Sequence, residues 1–323
     1  MQKGNWGLRD SGLGDFLKPG MAALLLIGVL ASPSLGQQQG QKTFATPEEA
    51  SKALYTAAKD NDTKAILELL GPEGKEITSG DEAEHAQNRA TFVKRYEEMN
   101  RLVKEPDGTV TLYVGAHNWP YPIPLVNKGN TWYFDTAVGK QEILFRRIGR
   151  NEISAIHICK QLAEAEKEYY AQNQEYAAKI LSGEGKKNGL YWKAGEGEPK
   201  SPIGPVLANA VSDDDAGRSG TPMAFHGYYF HALKSQGKNA AGGAKSYIVD
   251  GKATGFAFLA YPADYRSSGV KTFVVCADGV VYEKDLGDKT ESAAKAMEEF
   301  NPAAGWKKTE VEMQATSEAG PKK

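Results

Sequence analysis

The chain has 323 residues, 41% hydrophobic and 25% charged, the balance of a folded protein rather than a disordered one. It carries 39 lysines and arginines against 41 aspartates and glutamates, a net charge of −2. No basic excess is available to neutralise phosphates, so a dedicated nucleic-acid binder is not expected. The length predicts two domains.

Residues 1–36 read as a secretory signal peptide. A short apolar core, Met21 to Ala31, follows Lys3, Arg9 and Lys18 and precedes the small-x-small sequence Ser34-Leu35-Gly36. The core is shorter than the ~20 residues a spanning helix needs, so no transmembrane segment is expected once the signal is removed. No cysteine follows the cleavage sequence, and lipid attachment is not indicated. The expected location is the periplasm or cell envelope.

Residues 37–45 are a flexible, glutamine- and glycine-rich leader, and an α+β module is expected over 46–140. Thr46-Pro47-Glu48-Glu49 has the capping-box pattern with proline at the first helical position. The spacing predicts further helices over Lys64 to Leu70 and Glu82 to Val103. Strands are expected at Val110 to Val114, Tyr121 to Val126 and Thr131 to Asp135, the last two joined by a hairpin at Asn127-Lys128-Gly129-Asn130. In Trp119-Pro120-Tyr121-Pro122-Ile123-Pro124-Leu125 the prolines strip one strand edge of N–H donors. Trp119, Tyr121, Ile123 and Leu125 then share a face, either a recognition ledge or, the favoured reading, a core-facing stripe.

A second module is expected over 141–312, followed by a polar tail at 313–323. One long helix is predicted from Ile153 to Leu181, then an aperiodic loop from Gly183 to Ala224, too long to be a plain connection. Strands are expected at Phe225 to Leu233, Ser246 to Val249, Phe256 to Tyr261, Thr272 to Cys276 and Val280 to Glu283, with a turn at Ala277-Asp278-Gly279. A short helix is predicted from Glu291 to Phe300. The module is thus a long helix laid on an antiparallel sheet, and the fold class is α+β.

The common nucleotide, zinc-protease and hydrolase-elbow motifs do not occur, and no catalytic residues are assigned. Ser268-Gly269-Val270-Lys271 and Ser292-Ala293-Ala294-Lys295 match S-x-x-K, a pattern that arises easily by chance. The five histidines are scattered, Asp213-Asp214-Asp215 lacks the later ligands of a calcium loop, and no metal or cofactor is expected. Cys159 and Cys276 read either as a disulfide closing a long loop or as two buried thiols. Arg146, Arg147 and Arg150 form the one charged cluster of note. They stand just before the predicted long helix, whose N-terminus and fork-shaped guanidinium donors favour anions. The alternative is internal pairing with Glu142, Asp135 and Glu152. If the loop after the helix folds back, Tyr191 and Trp192 would supply an apolar wall beside the arginines. Candidate ligand-binding residues are therefore Arg146, Arg147, Arg150, Asp135, Trp119, Tyr191 and Trp192.

Several of these segments, Trp119 to Pro124, Phe134-Asp135-Thr136, Arg146 to Glu152, Gly189-Leu190-Tyr191-Trp192, Ser201 to Pro205, Gly227-Tyr228-Tyr229-Phe230 and Gly242-Gly243-Ala244, resemble an exported bacterial family known as domain of unknown function 2950. That resemblance covers nearly the whole mature chain and carries over no activity. More loosely, the second module is similar to the globular part of type IV pilins and pseudopilins. The first is similar to cone-shaped folds of the nuclear transport factor 2 type. The expected function is an exported cell-envelope protein acting as a non-catalytic binding or scaffolding component, with an envelope component or anionic small ligand as partner. A cell-wall or small-molecule hydrolase and a secretion- or pilus-system accessory are the alternatives.

Overall fold

The computed structural model describes residues 40–78, 82–177, 179–195, 198–211, 222–303 and 305–310. The signal segment, Asp213-Asp214-Asp215 and the polar tail lie outside the described residues. The protein is α+β and divides into two units between Ile143 and Leu144.

In the first unit, helices α1 (Pro47–Lys59), α2 (Thr63–Leu70), α3 (Gly74–Thr78) and α4 (Glu82–Glu98) precede strands β1 (Asn100–Lys104), β2 (Val110–Val114), β3 (Trp119–Pro120), β4 (Leu125–Lys128) and β5 (Thr131–Phe134). The Thr46 hydroxyl caps α1 by accepting the Glu49 N–H at 3.2 Å, and the Glu49 carboxylate accepts the Ala45 N–H at 3.1 Å. The strands pair antiparallel in the order β1-β2-β4-β5, with β3 also on β2. At the β4–β5 turn Gly129 and Asn130 both take positive φ, 59° and 70°, the geometry a tight hairpin requires. Ala50, Leu54 and Ala57 of α1 and Ile66, Leu69 and Leu70 of α2 pack with Leu112, Val114, Leu125 and Phe134 into one core.

Two expectations for this unit need correction. The helix after Glu82 stops at Glu98, because Asn100 to Lys104 pair in register with Val114 to Val110, and the β-branched and long apolar side chains there pack as a strand. The expected strand Tyr121 to Val126 is broken, since Pro122 and Pro124 cannot donate to a ladder; only Leu125 onward belongs to β4.

In the second unit the principal helix, α5 (Thr136–Asn173), starts within the first unit and is followed by the short helix α6 (Pro205–Ala208). Strands β6 (Tyr228–Ala232), β7 (Ser235–Gln236), β8 (Lys245–Ser246), β9 (Ile248–Val249), β10 (Lys252–Ala253), β11 (Ala257–Pro262), β12 (Lys271–Cys276) and β13 (Val281–Asp285) precede α7 (Thr290–Lys295), β14 (Glu299–Phe300) and β15 (Lys307–Lys308). The main sheet is antiparallel in the order β15-β13-β12-β11-β6. Its two faces carry separate cores. Phe230, Phe258, Ala260, Phe273 and Val275 face Ala155, Ile156, Cys159, Leu162 and Ala163 of α5. Leu259, Tyr261, Val274 and Cys276 pack instead with Ala294 of α7 and Phe300 of β14. Strand β11 is consequently buried at all six positions.

The long helix is therefore longer at its start and shorter at its end than its apolar spacing implied. It ends at Asn173, where Gln174 takes a positive φ of 59°. The fully buried Glu166 carboxylate then accepts the Ala177 N–H at 2.8 Å and turns the chain back. The expected helix Glu291 to Phe300 ends at Lys295, because Glu299 and Phe300 pair in parallel with Ser235 and Gln236. Of the two readings of the cysteines, that of two buried thiols holds. Cys159 and Cys276 are both free and buried. Strand alternation turns Val275 toward α5 and Cys276 to the other face, so the sheet stands between the two sulfurs.

Candidate functional site

The arginine cluster is not at a helix N-terminus. Because α5 begins at Thr136, Arg146, Arg147 and Arg150 lie in its interior, where backbone N–H groups are already bonded along the helix. The Arg147 guanidinium donates to the Ser267 carbonyl at 3.2 Å and to its hydroxyl at 3.4 Å. One turn on, Asn151 Nδ2 donates to the Ser268 carbonyl at 2.8 Å. The Glu152 carboxylate accepts the N–H groups of Val270 and Lys271 at 2.9 and 3.0 Å. This stretch of α5 thus fastens the β11–β12 loop. Within that loop the Ser268 hydroxyl bonds both backbone groups of Asp264, which explains the first S-x-x-K match as turn chemistry. In the second match, the Ser292 hydroxyl donates to the Lys289 carbonyl at 3.0 Å.

The other candidates separate. Asp135, 6% exposed, accepts the Val138 N–H at 3.1 Å and caps α5. Trp119, Tyr121, Ile123 and Leu125 belong to the first unit's core, with the Arg95 guanidinium lying 5.5 Å from the Trp119 ring centroid. The aromatic-proline stripe faces inward. It passes so close to α5 that a Cβ on Gly139 would come within 2.5 Å of the Ile123 side chain.

What the second unit does assemble is a cleft of about 880 Å³, within the size range of small-molecule sites. Tyr169, Tyr176, Tyr229, Tyr247 and Tyr261 line it together with His231. Strand alternation puts Tyr229 and His231 on the α7 side of β6, opposite Tyr228 and Phe230. The Tyr229 and Tyr261 ring centroids are 5.7 Å apart, and His231 stands edge-on to Tyr261 at 6.0 Å. His231 is 7% exposed and its Nε2 lies 3.2 Å from the Met297 carbonyl. Burial holds its pKa below the usual histidine value, with that carbonyl opposing the shift.

Among the described lining residues the cleft's charges cancel. Lys179, Lys234 and Lys295 stand against Glu175, Glu291 and Glu298. Lys234 bonds Glu298 at 2.6 Å, and Lys295 bonds Glu291 at 2.7 Å. The bond to Glu291 raises the Lys295 pKa above the usual lysine range, and Tyr261 and Tyr229 add to it. Lys295 is therefore a fixed cation, unsuited to act as a base. No serine, threonine or cysteine is among the described lining residues.

Tyr191 and Trp192 line a second, smaller groove of about 530 Å³ that shares, among the described residues, only Leu181 with the cleft. The chain does fold back there, since Tyr191 bridges Leu181 and its N–H donates to the Ile180 carbonyl at 2.8 Å. The cations beside the two rings are not the arginines but Lys186, Lys187 and Lys193. These lysines stand in the sequence within six residues of Tyr191, so this pairing was readable by proximity. The tyrosine cleft was not, because its residues come from five separate segments. The one available signal was β6, whose aromatic residues occupy both faces. Among the described residues no group of three or more histidine, cysteine or acidic side chains is arranged to hold a metal, and no helix is long and apolar enough to cross a membrane.

Comparison with known proteins gives one match. The family model described as Protein of unknown function (DUF2950) matches residues 41–309. No curated protein and no solved structure matches the chain.

Proposed function

The chain belongs to the family Protein of unknown function (DUF2950), and from that premise we propose that it is an exported cell-envelope protein that binds, without turnover, a ligand of no net charge in its tyrosine-lined cleft. One observation carries the reading: among the described lining residues the cleft's three lysines and three glutamates balance, and two of the possible pairs are already bonded. A charged ligand would have to break those pairs, whereas a neutral one meets tyrosine rings and hydroxyls that serve stacking and hydrogen bonding at little entropic cost. Catalysis would need groups with matched pKa values converging on one point. The described cleft lining offers no serine, threonine or cysteine nucleophile, and His231 is 7% exposed with its Nε2 turned to the Met297 carbonyl at 3.2 Å. Export rests on the apolar core and small-residue sequence of the first 36 residues.

The test is a thermal-shift screen of the full mature chain against neutral oligosaccharides and uncharged peptides, with mass spectrometry of each recovered probe. A saturable stabilisation lost in Tyr176→Ala and Tyr229→Ala, with the probe returned intact, supports the proposal. Cleaved probe would replace it with the hydrolase reading. A mature N-terminus near Gln37 on protein taken from the native host supports export, and an intact leader on cytoplasmic protein refutes it.

A further inference from the structure

The smaller groove, unlike the cleft, has unbalanced charge. Of its two acids, Glu198 is already bonded to Lys187 at 3.2 Å and accepts the Gly195 N–H at 3.4 Å. Lys186 and Lys193 have no ionic partner among the described residues. With Glu184 as the one remaining acid among the described lining residues, their net charge is positive.

Its aromatic wall is set in place before any ligand arrives. The Trp192 indole N–H donates to the Pro199 carbonyl at 3.1 Å, and the Lys187 ammonium lies 6.0 Å from the ring centroid. Both Tyr191 and Trp192 pack one side against the core and stay partly open on the other. The lysine-bearing turn is anchored as well. The Tyr169 hydroxyl donates to the Lys187 carbonyl at 3.0 Å, and the Gly183 N–H donates to Asn188 Oδ1 at 3.0 Å. At the turn's end, a Cβ on Gly189 would come within 2.6 Å of the Leu181 carbonyl carbon, so the two chain segments are in direct backbone contact. Groups ordered in advance spend little of their binding energy on ordering.

We propose that this groove binds an acidic saccharide, its ring laid on Trp192 and its carboxylate or phosphate met by Lys186 and Lys193. The flat indole suits the apolar face of a sugar ring. Lysine, a compact charge on a flexible stem, suits an anion whose position varies from one sugar to the next. A plain anion would make no use of the rings, and a neutral sugar would make no use of the lysines. The inference does not depend on what fills the tyrosine cleft.

Calorimetric titration of the full mature chain at low salt tests it, with trigalacturonate and glucose 6-phosphate as acidic probes and maltotriose and inorganic phosphate as controls. At least one acidic probe should bind saturably and about tenfold or more tighter than both controls. Lys186→Gln and Lys193→Gln should each weaken that binding by about three- to fivefold, with a shallower salt dependence. Trp192→Phe, which keeps a ring, should retain more of the affinity than Trp192→Ala. Whichever acidic probe prevails identifies the anion as carboxylate or phosphate. Equal affinity for maltotriose, equal affinity for phosphate alone, indifference to both lysine substitutions, or no saturable binding to either acidic probe would each overturn the inference.

Discussion

Replacing Glu152 by alanine should loosen the β11–β12 loop far more than removing the neighbouring arginine. The Glu152 carboxylate accepts two backbone N–H groups, from Val270 at 2.9 Å and Lys271 at 3.0 Å. Hydrogen bonds to a charged acceptor contribute about 1.5–3 kcal/mol each. Glu152 is only half-buried, which places both bonds at the low end and lets water reach the freed amides, so the alanine variant should lose about 2–3 kcal/mol. For a unit of this size that corresponds to a fall in Tm of about 5–10 °C. Glu152→Gln keeps an uncharged oxygen acceptor and should recover about half of the loss. Arg147 is exposed and its bonds to Ser267 are longer, at 3.2 and 3.4 Å, so Arg147→Gln should cost no more than about 0.5 kcal/mol. Thermal unfolding combined with hydrogen exchange at the Val270 and Lys271 amides measures both effects. An Arg147→Gln loss equal to that of Glu152→Ala, or unchanged amide protection in Glu152→Ala, would refute the account of α5 as the loop's anchor.

Two glycines should respond to alanine with opposite signs. A Cβ on Gly269 would lie 2.2 Å from the Tyr228 hydroxyl, and that fully buried ring is tied to the Lys271 carbonyl at 2.9 Å, so Gly269→Ala should destabilise by about 2–3 kcal/mol in urea unfolding. Gly149 is inside α5 with nothing within 4 Å of the added methyl group, and Gly149→Ala should stabilise by about 0.5–1 kcal/mol. His231 is held neutral by burial, so the unfolded chain takes up the proton first as pH falls. Stability should be intact above the unfolded histidine value of about 6.5 and decline toward the lower folded value, by at most about 1.4 kcal/mol per pH unit. A Tm-against-pH slope in that window that His231→Gln leaves unaltered would refute this. Unfolding without reductant should expose two reactive thiols. In the native state both should label slowly, since burial raises the Cys159 pKa and pushes Cys276 up to about 12.

The elements with a local signal could be read from the chain. Thr46-Pro47-Glu48-Glu49 announced a cap, Asn127 to Asn130 a hairpin, and the run from Phe256 to Tyr261 a strand. Misreadings arose where a partner distant in sequence decides the structure. Arg101 to Val103 continue a helical pattern but are claimed by β2, and Glu299-Phe300 is claimed by β7. The start of α5 was concealed by Gly139, which breaks helical propensity but is needed because Ile123 leaves no room for a side chain. The unbroken helix through Gly139 and Gly149 puts the arginines in a helix interior rather than at the expected helix end, which changes their role. The cleft was hidden for a related reason. Tyr169, Tyr229 and Tyr261 are far apart in the sequence, and only the pairing of β6 with β11 and the fold-back after Asn173 place them on one cavity.

The burial of β11 on both faces has a consequence for the order of events during synthesis. One covering layer, α5, is made more than eighty residues before that strand, and the other, from α7 to β14, about thirty residues after it. Neither layer alone satisfies the strand, so the unit's contacts are dominated by pairings that are distant along the chain and slow to close. A nascent chain lacking Phe300 would present Leu259, Tyr261 and Val274 on an uncovered sheet, which favours holding back consolidation until the last strands are available. The second unit should therefore gain its full hydrogen-exchange protection late and in one step, after its last strands have been made.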